Sequence, residues 1–397
     1  FNPGSTNQYA GPLKSAFLQC AGEKLADSWR ESQEWMRGLR KGCAFTYSIS
    51  EIQLRKYPGM AGKAGSVIDA NGPETYQCFG RYNGYLMEMF MDGEARPAMA
   101  EFYNWYTPSE EHAVRGFAQH LMHGGCFYSF AFHQIFEHGS TYDMWNWDAG
   151  RWGNVKKIFQ KARKIRDYIA IPASAANVGL LCADLGSLAF DPVNRYGASL
   201  PLRWDQHQCA LWTALSQSQI PADIIWADTM TPEKLARYRV LVLMDGKMIL
   251  DGQATLIRDW VRSGGTLICG GTTSLFDPSG EPRNDYLLAD LFGVSYAGDA
   301  AVSDPDRNDT FCWKPGAGET VSKVVSGLVP GRFNDHIHRE IKPVKSLGLY
   351  KVTDGASAVL PGIAPGAACE YDMPLGYDRV KLSSAELLAA FANGDPA

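Results

Sequence analysis

Short apolar segments alternate with amphipathic helical segments along most of this chain, and this alternation limits its fold more than any other feature of the sequence. In the short segments apolar residues run together, as in buried strands, whereas in the longer segments they recur every three or four residues. Strands that alternate with helices pair in parallel, because each helix carries the chain back along the sheet. We therefore expect an α/β protein built on parallel sheets.

The first part of the chain, residues 1–170, begins with a long amphipathic helix predicted over residues 15–41. The strands predicted after it are 43–48, 66–68, 97–102 and 126–132, and the helices are 76–91, 110–122 and 154–169. A parallel TIM-type barrel gives this order, and a doubly wound sheet gives much the same order. An eight-fold barrel takes about 250 residues. If the fold is a barrel, residues 1–170 form a partial (β/α)8 barrel whose first half lies outside this chain.

The second part, residues 171–397, follows a short linker of small residues that contains proline. The strands predicted here are 178–182, 223–226, 240–244 and 266–269, with helices at 206–216 and 254–262. This order is typical of a flavodoxin-like or class I amidotransferase-like open sheet. Short strands are predicted again around 357–359 and 368–371, but no last strand closes the sheet, which favours a truncated C-terminus. We place the domain boundary near residue 170.

Composition and charge exclude several classes of partner. The chain has 38 Lys and Arg against 43 Asp and Glu, a net charge of −5, and so lacks the basic excess that binds nucleic acid. No apolar run approaches the roughly 18 residues of a membrane span, and no export signal is visible. The nine cysteines contain no C-x-x-C pair, so neither a disulfide framework nor a zinc knuckle is indicated. These features favour a cytoplasmic location, and no motif indicates a cofactor.

Glu101 stands at the end of a predicted barrel strand, within the segment RPAMAEFYNWYTPS of residues 96–109. Aromatic residues and an Asn-Trp pair follow it directly. Barrel enzymes carry their catalytic residues at the C-terminal ends of the strands, so Glu101 is a candidate catalytic carboxylate. The alternative is an ordinary surface glutamate at a strand end.

The segment of residues 127–152 is unusually aromatic. It holds nine Phe, Trp and Tyr residues, where the 12% average of the chain gives about three. Flat apolar faces of sugar rings stack on aromatic planes, so this density suits a carbohydrate-binding cleft. A packed lid over a hydrophobic core is the alternative.

The order of these features resembles the second half of a glycoside hydrolase family 42 protein, a β-galactosidase-like enzyme with a trimerisation domain behind its barrel. The features are a strand ending in Glu101, the Asn104-Trp105 pair, an aromatic loop with the run Trp-Asn-Trp-Asp at residues 145–148, and an amidotransferase-like domain. The similarity runs from about residue 15 to the C-terminus. The resemblance implies a retaining glycosidase that acts on a β-galactoside or a related β-glycoside and forms a homotrimer.

The resemblance also implies roles for individual residues. Glu101 corresponds to the catalytic nucleophile, although Trp105 follows it sooner than in the family pattern. The residues expected to line the sugar pocket are Trp105, Phe132, His133, Asp143, Trp145 and Trp147.

Two departures from the family pattern concern the catalytic pair and the sugar site. A retaining glycosidase needs a second carboxylate as its general acid, and the family carries it in an Asn-Glu pair that this sequence lacks. The general acid is therefore expected outside this chain, on a preceding segment or a second chain that completes the barrel. The family also binds sugar hydroxyls through a Glu and a His three residues apart, where this chain has Ser140 and Asp143.

Two further candidate sites are weaker. Cys269 lies in the amidotransferase-like part, but its context Leu-Ile-Cys-Gly-Gly is a strand running into a turn rather than a nucleophile elbow. His336 and His338 stand near Asp335 without a clear third ligand, so no metal site is expected.

A second hypothesis competes with the enzyme. The chain could be a non-catalytic carbohydrate-binding or assembly module that kept the trimerisation fold and lost the acid. A strand and helix series with an Asn-Glu pair upstream of Phe1 would favour the enzyme, and a natural start near Phe1 would favour the module.

Overall fold

A computed structural model gives the fold of the chain. It describes residues 12–49, 67–75, 82–94, 98–103, 114, 118, 120–123, 125–130, 149–168, 174–183, 203–244, 246–300, 348–352, 368–371 and 377–391.

The first sheet has four strands, all parallel, in the order β1-β2-β3-β4. The strands are β1 (Thr46–Ile49), β2 (Ala70–Thr75), β3 (Ala98–Tyr103) and β4 (Gly125–Phe130), and the helices whose bounds the described residues give are α1 (Pro12–Leu39), α2 (Tyr82–Met91) and α3 (Ala149–Ile165). Residues 114, 118 and 120–122, within the helix predicted at 110–122, are also helical. A spatial order identical to the chain order is the arrangement of a TIM-type barrel, whereas a doubly wound sheet reverses its order. The first sheet therefore fits a portion of such a barrel.

The second sheet also has four parallel strands, but in the order β6-β5-β7-β8. The strands are β5 (Val178–Cys182), β6 (Ala222–Trp226), β7 (Val240–Met244) and β8 (Thr266–Gly270). The helices are α4 (Arg203–Gln217), α5 (Pro232–Leu235), α6 (Asp251–Arg262) and α7 (Ala289–Phe292). The predicted strands of this part agree with β5 to β8 to within one residue at each end.

The remaining strands form two small antiparallel sheets. In one, β9 (Val294–Ala300) pairs with β12 (Tyr377–Leu382). In the other, β10 (Gly348–Val352) pairs with β11 (Ala368–Tyr371) and β13 (Ala389–Phe391). The strand predicted at 368–371 is β11, and the one predicted at 357–359 lies outside the described residues.

One strand prediction in the first part is wrong. Residues 67–69 form a turn, and the strand lies at Ala70–Thr75, whose sequence ANGPET has no apolar run. Backbone pairing with β1 on one side and β3 on the other defines this strand, which apolar periodicity does not reveal. Helix α3 begins five residues before its predicted start at 154 and is followed by a 3₁₀ turn over Arg166–Tyr168.

Strands β5, β6 and β7 of the second sheet are covered on both faces, whereas the edge strand β8 is partly exposed. One face, with Leu180, Ile224 and Val242, packs against residues of α1, α2 and α4. The other face, with Leu181 and Ile225, packs against a cluster that includes residues of α5 and α6. Alternating side chains of a strand point to opposite faces, so near-continuous apolar strands are needed here. Helix α2 thus contributes to the core of the second sheet although it connects two strands of the first.

Candidate active site

Glu101 is the fourth of the six residues of β3. Its backbone pairs in register with Glu74 of β2 and with Tyr128 of β4. Because the four strands are parallel, their C-terminal ends share one edge of the sheet, and Glu101 lies in the half of β3 nearest to that edge. The strand continues two residues beyond Glu101 to Tyr103, so it ends one residue later than the predicted end at 102.

The predicted sugar-binding residues lie outside the described residues, and their roles stay predictions. This holds for Trp105, Phe132, His133, Asp143, Trp145 and Trp147, and also for Ser140, Asp335, His336 and His338. Part of the aromatic segment belongs to regular elements, since Phe127, Tyr128 and Phe130 are residues of β4 and Trp152 is a residue of α3.

Sequence reasoning missed the register partner of Glu101 on β2. Glu74 is not among the sequence candidates, because the apolar pattern predicts the strand at 66–68 and the strand lies at Ala70–Thr75. Only the regular spacing of strands along a barrel chain could indicate a strand at Ala70–Thr75, since the residues of this strand carry no apolar pattern.

Asp92, which directly follows α2, is fully buried and adopts a left-handed backbone with φ 51°. Its Oδ1 accepts a hydrogen bond from the backbone N of Trp226 at 2.8 Å, and its Oδ2 accepts from Thr229 Oγ1 at 2.6 Å. The buried ammonium of Lys234 lies 2.9 Å from the same Oδ2. Burial raises the pKa of Asp92, and the charge of Lys234 opposes that rise. The Asp92 carboxylate is thus held by a donor at the end of β6 and by two donors in the segment that follows β6.

Two more hydrogen bonds join the end of α2 to the same part of the chain. The indole N–H of Trp226 donates to the carbonyl of Met89 at 2.7 Å, and the Arg237 guanidinium donates to the carbonyl of Gly93. The last turn of α2 has carbonyls without helical partners, and these donors satisfy two acceptors at that end of the helix.

A second group of titratable residues lies between α2 and α4. Glu88 Oε1 is 2.5 Å from Nδ1 of His123, whose ring packs against Trp212 with centroids 5.4 Å apart. Burial raises the pKa of Glu88, and His123 opposes that rise. Complete burial lowers the pKa of His120 to about 3, so this imidazole is neutral at physiological pH. His123 precedes β4 by two residues, which places the group toward the edge of the sheet opposite to the strand ends.

The described residues give no support to a thiol nucleophile or a metal centre. Burial raises the pKa of the Cys269 thiol to about 12, so very little of the thiolate needed for nucleophilic attack is present at neutral pH. Within the described ranges no three His, Cys, Asp or Glu residues come close enough to hold a metal ion.

Among the helices of the described part, none is both long and apolar enough to cross a membrane.

Comparison with known proteins gives a result in structure but not in sequence. No protein-family model matches the chain, and no curated protein is significantly similar to it in sequence. Its fold is similar to that of a cold-adapted β-galactosidase from Rahnella sp. R3, with a TM-score of 0.67 and 14% identity over 97% of this chain and 53% of that one.

Two further β-galactosidase structures agree. The enzyme from Bacillus circulans sp. alkalophilus matches with a TM-score of 0.70 and 13% identity over 98% of this chain and 54% of that one. Gan42B, a GH42 β-galactosidase, matches with a TM-score of 0.67 and 13% identity over 96% of this chain and 52% of that one. The chain therefore spans about half the length of these structures. It shares the fold of glycoside hydrolase family 42 proteins, as its sequence order predicts.

Proposed function

We propose, from the fold shared with β-galactosidases, that the chain is part of a retaining glycoside hydrolase that acts on a β-galactoside or a related β-glycoside. The observation that carries this proposal is the position of Glu101, in the C-terminal half of β3 of a parallel sheet whose strands follow the chain order. Barrel enzymes use that edge for chemistry.

In the proposed mechanism the carboxylate of Glu101 attacks the anomeric carbon of the sugar. The bond from that carbon to the leaving oxygen breaks, a general acid gives that oxygen a proton, and a glycosyl ester on Glu101 forms. Water then attacks the anomeric carbon and gives its proton to the same acid/base group, while the bond from that carbon to the Glu101 oxygen breaks and the carboxylate leaves. Because the sequence has no Asn-Glu pair, we assign the acid/base to a glutamate outside this chain.

Substrate binding belongs to the same proposal. We assign the pocket to the aromatic segment after β4 and to the residue pair after Glu101. Rings stack on the apolar face of the sugar, and polar side chains bind its hydroxyls. The residues so assigned are Trp105, Phe132, His133, Asp143, Trp145 and Trp147.

We further propose that residues 171–397 form a flavodoxin-like, class I amidotransferase-like domain that assembles a homotrimer, with the boundary near residue 170. The strand order β6-β5-β7-β8 supports the first half of this statement, since it reverses direction as doubly wound sheets do. The trimer rests on the resemblance alone and is checked by light scattering. A cytoplasmic location is part of the same proposal.

The non-catalytic module is the second candidate, and the missing Asn-Glu pair is the observation that favours it. The test uses the whole chain with a dinitrophenyl β-galactoside, whose good leaving group needs little help from a general acid. The wild type should release dinitrophenol, and Glu101→Gln should not, while Glu34→Gln on the exposed face of α1 should match the wild type. Galactoside binding without any release supports the module.

A further inference from the structure

We infer that Lys234 and Asp92 are positioning residues, through which the second sheet fixes the start of the strand that carries Glu101. The structural part of this inference concerns the placement of β3 and stands by itself. Its catalytic part rests on the proposed function.

The ion pair acts on the connection between α2 and β3. Asp92 and Gly93 both have left-handed backbones, with φ of 51° and 64°, and they turn the chain out of α2. The turn is itself hydrogen bonded, because the N–H of Asp92 donates to the carbonyl of Glu88 at 3.1 Å and that of Glu94 to Met91 at 2.9 Å. Strand β3 begins at Ala98, six residues after Asp92. The hydrogen-bonded turn ends at Glu94, four residues before Ala98, so a short covalent connection joins the turn to the start of β3 and limits how far the two can move apart.

The groups that hold the turn come from one short stretch, residues 226–237, which begins at the end of β6. This stretch supplies the donors to both carboxylate oxygens of Asp92 and to the carbonyl of Gly93. The Lys234 ammonium lies in addition 3.5 Å from Glu94 Oε1. The side chains of Lys234 and Asp92 are 5% and 0% exposed, so water does not compete with this contact and salt screens it little.

The apolar contacts of α2 do not replace this contact. Tyr85, Met89 and Phe90 pack on the second sheet and determine which face of α2 lies against it. Apolar packing is not directional, however, and permits small shifts along the helix axis. Hydrogen bonds and ion pairs weaken steeply when they are misaligned, so the contacts of Asp92 set the axial position of α2 and hence of the turn before β3.

The test separates positioning from general stability by using a double variant instead of a single one. Lys234→Met leaves the Asp92 carboxylate buried without its counter-charge, which lowers stability whatever the role of the pair. The double variant Asp92→Asn/Lys234→Met removes both charges. Asparagine tolerates the left-handed backbone at position 92 and keeps an acceptor for the N–H of Trp226. Lys156→Met, on the exposed face of α3, is the matched control.

The first measurement is hydrogen exchange of the backbone amides of β3, together with thermal unfolding. We expect the double variant to unfold within a few degrees of the wild type. Its β3 amides should exchange about tenfold faster, because local opening of β3 no longer has to break the ion pair between Asp92 and Lys234. The control should exchange at the wild-type rate. Unchanged β3 exchange in the double variant would overturn the inference, whether or not the chain has activity.

The second measurement is the kinetics of the double variant with the dinitrophenyl β-galactoside. We expect kcat to fall about tenfold with KM unchanged, because a displaced nucleophile impairs attack without removing sugar contacts. An unchanged kcat with faster β3 exchange would overturn the catalytic part. A wild type that matches Glu101→Gln in this assay would instead count against the proposed function, and the exchange result would still decide the placement of β3.

Discussion

The hydroxyl of Tyr238 lies 2.7 Å from Oδ2 of Asp223, at the N-terminal ends of β6 and β7. The other oxygen of this buried carboxylate accepts a hydrogen bond from Ser174 Oγ at 2.5 Å, and the Arg237 guanidinium lies 3.8 Å from Oδ2. Burial raises the pKa of Tyr238, and the charge of Asp223 raises it further. The phenol therefore stays protonated and acts as a permanent donor to the carboxylate.

Replacing Tyr238 by phenylalanine should lower the free energy of unfolding by about 1–3 kcal/mol, because a buried carboxylate loses one of its donors. Urea denaturation measures this loss. Tyr168→Phe is the matched control, since Tyr168 is 88% exposed and its loss should leave the midpoint unchanged. Equal midpoints for both variants would contradict the role given to Tyr238.

Stability should fall in mild acid because His120 is buried and neutral. Burial lowers its pKa from 6.5 to about 3, so between these values the unfolded chain binds a proton that the folded chain does not. The free energy of unfolding is thus lost as the pH falls below about 6.5, at up to roughly 1.4 kcal/mol per pH unit from this group. The raised pKa of Glu88 acts in the opposite direction.

Chemical denaturation of the wild type and of His120→Gln at pH 7, 6 and 5 isolates this contribution, because Glu88 is common to both proteins. The difference in stability between the two should shrink as the pH falls. A constant difference over this range would show that His120 is not buried in its neutral form.

Gly265 should not accept a side chain, since a Cβ there would overlap the indole ring of Trp260. Trp260 is 7% exposed and cannot swing away, so Gly265→Ala should cost about 1–3 kcal/mol of unfolding free energy. Gly252→Ala, in the first turn of α6, meets nothing within 4 Å and should be neutral or slightly stabilising. A similar loss at both positions in thermal unfolding would rule out the steric cause.

Cys269 should be chemically inert in the folded protein. With a thiol pKa raised to about 12 by burial, its thiolate fraction at pH 7.5 is very small. Limited alkylation with iodoacetamide, followed by peptide mass spectrometry, should label the exposed Cys20 well before Cys269. Early labelling of Cys269 would reopen the question of an amidotransferase-type nucleophile.

The sequence predicts β5, β6 and β7 of the second sheet closely because these strands are almost wholly buried. Segments such as VGLLC and VLVLM are almost wholly apolar, and such runs have few alternatives to a buried parallel strand. Strand β2 has the opposite character. The segment ANGPET is a strand because the neighbouring strands hydrogen bond to it. No local sequence pattern predicts this strand.

The contact between Lys234 and Asp92 could not be predicted either, since 142 residues separate the two in the chain. Each alone is an ordinary charged residue in a polar context, and only the packing of α2 on the second sheet brings them together. For Glu101, the sequence predicts a position in a strand of the first sheet, which the backbone confirms. Its catalytic role stays a proposal.

Covalent trapping on Glu101 tests the central proposal most directly. A dinitrophenyl 2-deoxy-2-fluoro-β-galactoside should form the glycosyl ester quickly and release it slowly, because the fluorine destabilises the cationic transition state of both steps while the good leaving group speeds only the first. Peptide mass spectrometry of the full chain should then find one fluorosugar attached to Glu101, and none in Glu101→Gln. A label on another carboxylate, or an unchanged label in Glu101→Gln, would contradict the assignment of Glu101 as the nucleophile.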